Sequence, residues 1–121
     1  MTVAVIAVMA VFFFAMGAFA LVSPHATVRP FGITLPEPAS RSEVRAVYGG
    51  YGVATGAILT VAAFDPGFHR SGITITVAVA LAGMAVGRLV SAVVDKRTAF
   101  YPNWFYFGVE TVGATALLTT A

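Results

Sequence analysis

The sequence predicts an all-α fold, an integral membrane four-helix antiparallel bundle, on two observations. Hydrophobic residues make up 59% of the 121 residues and charged residues only 10%, which is too apolar for an ordinary soluble domain. The apolar residues also form runs of about 20, the length of helix that crosses a hydrocarbon core of about 30 Å. Four such helices account for nearly the whole chain, so we expect a single transmembrane domain over residues 1–121.

The first predicted helix covers residues 3–22, an uncharged apolar run that ends at Ser23-Pro24. A cleavable secretory signal is the alternative, because Ala18-Phe19-Ala20 resembles a cleavage site, but no Lys or Arg precedes the run. Residues 23–39 are rich in proline and therefore predict a loop. This loop either connects two helices or covers the mouth of the bundle.

The second predicted helix covers residues 41–64. Ser40 and Glu43 match a capping box at its start, and Asp65-Pro66-Gly67 is strong turn chemistry at its end. The short connection that follows makes the third helix, residues 72–94, an antiparallel neighbour of the second.

The fourth predicted helix covers residues 103–120, with Asn103 as its cap and the aromatic residues Phe100, Tyr101 and Trp104 at the headgroup level before it. Every Lys and Arg except Arg70 lies near the first or third connection. We therefore expect these connections to be cytoplasmic, with both termini outside.

Two pairs of glycines are spaced by four residues, Gly52 with Gly56 and Gly83 with Gly87. Such pairs let helices approach closely in lipid, where no hydrophobic force drives their association. We expect them to pack the second helix on the third, and contact between subunits of a homo-oligomer is the alternative.

Two charged residues fall inside the predicted helices at matching depth. Arg88 lies seven residues before Asp95 and Glu110 seven residues after Asn103, so both are about 10 Å from the cytoplasmic end of an antiparallel hairpin. We expect them to pair, because a carboxylate offsets part of the cost of an arginine in the bilayer. Arg45 and Tyr48 are the expected third side of a polar pocket; the alternative is a purely structural pair that binds nothing.

The sequence lacks the residues that a catalytic, metal or cofactor site would need. The chain has no cysteine, His25 and His69 fall on opposite sides of the predicted bundle, and no nucleophile motif is present. We expect no catalytic residue, metal or cofactor. The formal net charge of +2 reflects cations near helix ends, so we also expect no nucleic-acid partner.

Several short motifs resemble a known family. Arg45-Ala46-Val47-Tyr48-Gly49-Gly50, Gly87-Arg88, Asp95 and Glu110 look like the pattern of DUF4345, a family of small bacterial membrane proteins. The resemblance implies a four-span bundle in a bacterial inner membrane and no assigned activity. Lys96 departs from the pattern, since glycine is expected there. The positions that match the polar pattern of the family are Glu43, Arg45, Tyr48, Arg88, Asp95 and Glu110.

These observations favour a non-enzymatic membrane protein. We expect its cytoplasmic-side pocket to bind a lipid-like or small anionic molecule, since cations beside aromatic walls suit an anionic headgroup, or to dock a partner membrane protein as an accessory subunit. The alternative is a small proton-coupled transporter that uses Glu110, because carboxylates inside a membrane often mark ion pathways. Its weakness is the neighbouring Arg88, which would hold Glu110 ionised.

Overall fold

The computed structural model describes residues 1–121, and all of its regular elements are helices. The elements in chain order are α1 (Thr2–Val22), α2 (Pro24–Val28), a 3-10 turn (Arg29–Phe31), α3 (Pro38–Val44), a π-helical turn (Arg45–Gly50), α4 (Tyr51–Phe64), α5 (Arg70–Val94), a second π-helical segment (Phe100–Trp104) and α6 (Phe105–Thr120). The absence of strands confirms the predicted all-α class.

Three helices are long and apolar enough to cross a membrane: Thr2–Val22, Pro38–Phe64 and Arg70–Val94. The second of these is α3 and α4 joined through the π-helical turn without a break. Helix α6 is shorter, with 16 residues, which is about 24 Å at the usual helical rise. It therefore falls short of a hydrocarbon core of about 30 Å on its own.

Helices α1, α4, α5 and α6 share one apolar core. Helix α1 packs along α4 and α5 packs along α6, whereas α1 and α6 touch only lightly. The core is centred on Ile6, Leu59 and Leu117, which are fully buried and come from three different helices. Only 25 of the 121 residues are buried, so most large apolar side chains face outward.

The glycines of the second predicted helix contact α1, not the third helix. A Cβ on Gly52 would lie 2.9 Å from the Cα of Gly17, and a Cβ on Gly17 would lie 2.5 Å from the amide nitrogen of Val53. Only glycine permits this backbone approach. A Cβ on Gly83 or Gly87 would meet nothing within 4 Å. The prediction that both pairs join the second helix to the third is wrong, because spacing identifies a smooth helix face but not the helix opposite it.

The predicted capping box is also wrong. Helix α3 begins at Pro38, after an extended Glu37, and no side chain caps it. Proline starts a helix readily because its missing N–H would lack a partner there and its φ is already helical. The start therefore comes before Ser40. Pro24 does the same for α2, so the predicted loop at residues 23–39 contains a short helix and a 3-10 turn.

Candidate functional site

Arg88 and Glu110 form a bidentate ion pair between α5 and α6. The Nε of Arg88 donates to Oε1 of Glu110 at 2.8 Å, and Nη2 donates to Oε2 at 2.9 Å. The Glu110 side chain is only 4% exposed and that of Arg88 is 21% exposed. The pair predicted from helix register is therefore present, with the parallel geometry in which guanidinium binds carboxylate most strongly.

Two aromatic rings and one amide complete the surroundings of Arg88. Its guanidinium carbon lies 5.8 Å from the ring centre of Phe31 and 5.7 Å from that of Tyr106, within the range of cation–π attraction. Its Nη1 donates to Oδ1 of Asn103 at 3.3 Å. Every buried polar side-chain atom of the chain has a hydrogen-bond partner. The buried polar atoms of the ion pair therefore all have hydrogen-bond partners within the chain.

The loop after α1 brings Phe31 to this site. Phe31 ends the 3-10 turn, and Gly32 follows it with a φ of +74°, a left-handed conformation that glycine adopts without strain. The rings of Phe31 and Tyr106 have their centres 5.7 Å apart. The loop therefore covers the ion pair at this point, as one of the two alternatives for residues 23–39 predicts.

Arg45 and Tyr48 have a different position from the one predicted. The Nε of Arg45 donates to the carbonyl oxygen of Leu21 at 3.0 Å, where it satisfies an acceptor in the last turn of α1. Tyr48 is about half exposed in the π-helical turn, which packs mainly on α1. The prediction that Arg45 and Tyr48 form the third side of the pocket is therefore wrong. Phe31 contacts the Arg88 guanidinium instead, because the loop folds back over α6.

The remaining predicted site residues lie apart from the ion pair. Asp95 follows α5 and its Oδ1 accepts the backbone N–H of Lys96 at 2.8 Å. Glu43 is exposed in α3 and makes no hydrogen bond or ion pair. The structure thus brings together Arg88 and Glu110 of the six predicted residues, and adds Phe31, Asn103 and Tyr106.

An open, apolar groove lies between α1 and α6, and we call it the α1–α6 groove. Its volume is about 750 Å³, and its walls are almost entirely apolar. Helix α1 contributes Val5, Met9 and Phe12, and the other wall is formed by Trp104, Gly108 and Val112. Gly108 and Glu110 are about 200° apart around α6, so the groove lies on the side of α6 away from the ion pair.

Sequence reasoning missed both the groove and the role of Phe31. A signal for the groove exists in the spacing of four between Gly108, Val112 and Ala116, which places small side chains along one face of α6. A signal for Phe31 is the glycine that follows it in a loop otherwise stiffened by proline. No group of three or more residues is arranged to hold a metal ion.

Comparison with known proteins adds a family but no activity. No curated protein and no solved structure matches the chain significantly. One family model matches residues 1–121, the full length described here, and its description is domain of unknown function. The motifs that suggested this family include the ion pair and the π-helical turn described above. The chain therefore belongs to the DUF4345 family.

Proposed function

We propose that this chain is a small, non-enzymatic protein of the bacterial inner membrane, a four-helix bundle that binds the acyl chain of a lipid in the α1–α6 groove. The groove is the observation that carries the proposal. Its volume of about 750 Å³ lies within the range of small-molecule sites, about 300–1,000 Å³. No charged side chain lines it, so its occupant has to be apolar.

The dimensions of the groove suit one leaflet of a bilayer. The residues from Trp104 to Ala116 line it along α6, a rise of about 18 Å, and half of a hydrocarbon core is about 15 Å. Trp104 and Phe100 lie at one end, where aromatic side chains favour the boundary between headgroups and acyl chains. An acyl chain that enters beside Trp104 would run along the groove toward the middle of the membrane.

The outer surface supports insertion into a membrane. Val79, Val86, Val93 and Val112 are each more than half exposed on α5 and α6, a costly arrangement in water but a favourable one in lipid. The cations Arg29, Arg41, Lys96 and Arg97 are in or next to the first and third connections, which favours a cytoplasmic position for that end and an outside position for both termini.

The ion pair serves the groove indirectly in this proposal. Arg88 and Glu110 fasten α6 to α5, and α6 contacts α5 much more than it contacts α1. The ion pair therefore helps to fix the position of α6, and with it the width of the α1–α6 groove, through a contact on the opposite face of α6. The bidentate pairing also weighs against the proton-coupled transporter, because the guanidinium already holds both carboxylate oxygens of Glu110.

Quenching of Trp104 by brominated lipid tests the proposal. Trp104 is the only tryptophan of the chain and lines the groove, so a bromine atom on a bound acyl chain will quench its fluorescence. The purified protein in neutral detergent is titrated with traces of phospholipid brominated in the acyl chain. We expect saturable quenching at one lipid per protein, reversed by the unbrominated lipid.

Two glycine substitutions separate binding in the groove from general solvation. Gly108→Phe fills the groove, and we expect it to remove the saturable quenching. Gly83→Phe adds the same side chain to an outward position on α5 and serves as the matched control. Quenching that rises linearly and is equal in both variants would refute the proposal. Loss of proton-coupled solute uptake in vesicles on Glu110→Gln would favour the transporter, and copurification of a membrane protein would favour an accessory subunit.

A further inference from the structure

A second cavity lies in the connection after α1, and we call it the loop cavity. Its volume is about 440 Å³, and it lies between α2 with the following 3-10 turn and the extended segment after Gly32. Its lining is His25, Arg29, Ile33, Thr34, Leu35 and Pro36. The lining is polar and cationic on one side, in contrast to the apolar α1–α6 groove.

The polar side chains of the loop cavity are exposed and have no partner within the chain. His25 and Arg29 are four residues apart in a helical stretch, so both project from the same side of it. Neither side chain makes a hydrogen bond, and neither is within ion-pair distance of a carboxylate, since the only ion pair of the chain joins Arg88 to Glu110. The hydroxyl of Thr34 also lacks a partner. Three kinds of hydrogen-bond donor therefore surround one cavity.

One arginine lines the loop cavity and a second lies beside its wall. Arg41 donates from Nη1 to the carbonyl oxygen of Leu35 at 3.1 Å, which places a second guanidinium next to the wall of the cavity. The nearest carboxylates in sequence, Glu37 and Glu43, are exposed and unpaired. An anion in the cavity would therefore meet two arginines and would not displace an existing ion pair.

The backbone around the loop cavity is held from several directions. Val28, Leu35 and Val44 form a buried cluster that fastens both walls to α3. The hydroxyl of Thr27 donates to the carbonyl oxygen of Ser23 at 3.0 Å, and Phe31 is held against the Arg88 guanidinium. The cavity is therefore formed before any ligand arrives, which lowers the entropic cost of binding.

We propose that the loop cavity binds a phosphate group through Arg29, His25 and Thr34. The planar guanidinium matches the oxygens of a phosphate in pairs, and an imidazole N–H and a hydroxyl supply further donors. The cavity follows α1 directly, so the phosphate of a lipid headgroup and a free phosphate compound are both within reach. The site goes beyond the acyl-chain groove and does not depend on it.

Two titrations of the full chain in neutral detergent test the phosphate site and its source. One follows inorganic phosphate by ³¹P NMR line broadening, and the other follows phosphatidylglycerol by native mass spectrometry. We expect saturable binding in at least one titration, weakened about tenfold by Arg29→Gln and less by Thr34→Val. Binding of inorganic phosphate that Arg29→Gln weakens identifies a free phosphate compound as ligand. Binding of the lipid alone identifies a headgroup only where Arg29→Gln weakens it, because the α1–α6 groove can itself hold the acyl chain.

A matched arginine supplies the control. Arg97 lies in the third connection, at the same end of the bundle, and Arg97→Gln removes the same charge outside the cavity. An equal loss with Arg97→Gln, or no saturable binding of either probe, would overturn the site. Since the side chains of His25 and Arg29 make no hydrogen bond in the chain, the variants should keep the melting temperature of the parent protein. Gly108→Phe should leave the binding of inorganic phosphate unchanged, so failure of the groove and failure of the loop cavity give different results.

Discussion

Arg88 and Glu110 meet through two parallel hydrogen bonds of 2.8 and 2.9 Å, and neither charge has another ionic partner. Removing a carboxylate from water is costly, and Glu110 is almost completely buried. The pairing recovers that cost only while both residues are present. The two residues are therefore expected to contribute to stability as one unit, which a double-mutant cycle measures directly.

The first prediction concerns this unit. We expect Arg88→Met and Glu110→Met each to lower the free energy of unfolding by about 3 kcal/mol, because each leaves one buried charge unpaired. The double variant should lose clearly less than either single variant, since it removes both charges together and leaves none unpaired. Thermal unfolding in detergent, followed by Trp104 fluorescence, measures the three differences. Arg97→Met should have no effect, and losses that simply add would show that the two charges act independently.

The second prediction concerns the docking of the loop on Arg88. Phe31→Ala removes a cation–π contact worth about 0.5–2 kcal/mol and the ring contact with Tyr106. We expect the amides of the 3-10 turn and Gly32 to exchange hydrogen about fivefold faster or more, because the loop opens more often. Hydrogen exchange measured by mass spectrometry reports this change. Phe31→Tyr keeps the ring and should exchange like the parent; equal exchange in Phe31→Ala would exclude docking through the ring.

The sequence predicts the partner of Arg88 correctly but not the partner of Arg45, and the difference has a physical reason. The pairing of Arg88 with Glu110 follows from depth alone, because a short connection makes two helices antiparallel and charges inside lipid need partners. The long helices can likewise be predicted from the sequence, because each coincides with a long apolar run. The position of Arg45 cannot be predicted in this way. Its partner is the backbone carbonyl of Leu21, and because every residue has a carbonyl, the sequence does not indicate which one accepts the hydrogen bond.

The helix opposite a glycine face is likewise hidden from the sequence. Gly52 and Gly56 present the expected smooth surface, but α1 occupies it, and α1 carries Gly17 as a single small residue and not as a pair spaced by four. The α1–α6 groove is a property of the gap between two helices. It depends on how closely they approach, which no pattern within one helix records.

The third prediction concerns the end of α1. We expect Arg45→Ala to lower the free energy of unfolding by about 1 kcal/mol, because the carbonyl of Leu21 loses its donor and α1 loses a cation at its C-terminus. Arg45→Lys should recover part of the loss, since an ammonium also donates. Glu43→Ala is the control, as its side chain makes no contact of this kind, and unfolding in detergent measures all three. An effect of Glu43→Ala equal to that of Arg45→Ala would restore the capping box and contradict the observed start of α3.

The fourth prediction compares two glycines at a close contact between helices, Gly17 and Gly52, with two that face open space, Gly83 and Gly87. Gly17→Ala would place a methyl group 2.5 Å from a backbone nitrogen of α4, and Gly52→Ala one 2.9 Å from a backbone carbon of α1. Backbone atoms cannot move aside as a flexible side chain can, so we expect each substitution to force α1 and α4 apart and to cost about 1–3 kcal/mol. Gly83→Ala and Gly87→Ala meet open space, and the better helix propensity of alanine should leave stability unchanged or raise it by up to about 1 kcal/mol. Melting temperatures of the four variants in one detergent measure these effects. Destabilisation by Gly83→Ala or Gly87→Ala would show that these residues are covered by another subunit. Tolerance of Gly17→Ala would show that α1 and α4 are farther apart than this structure has them.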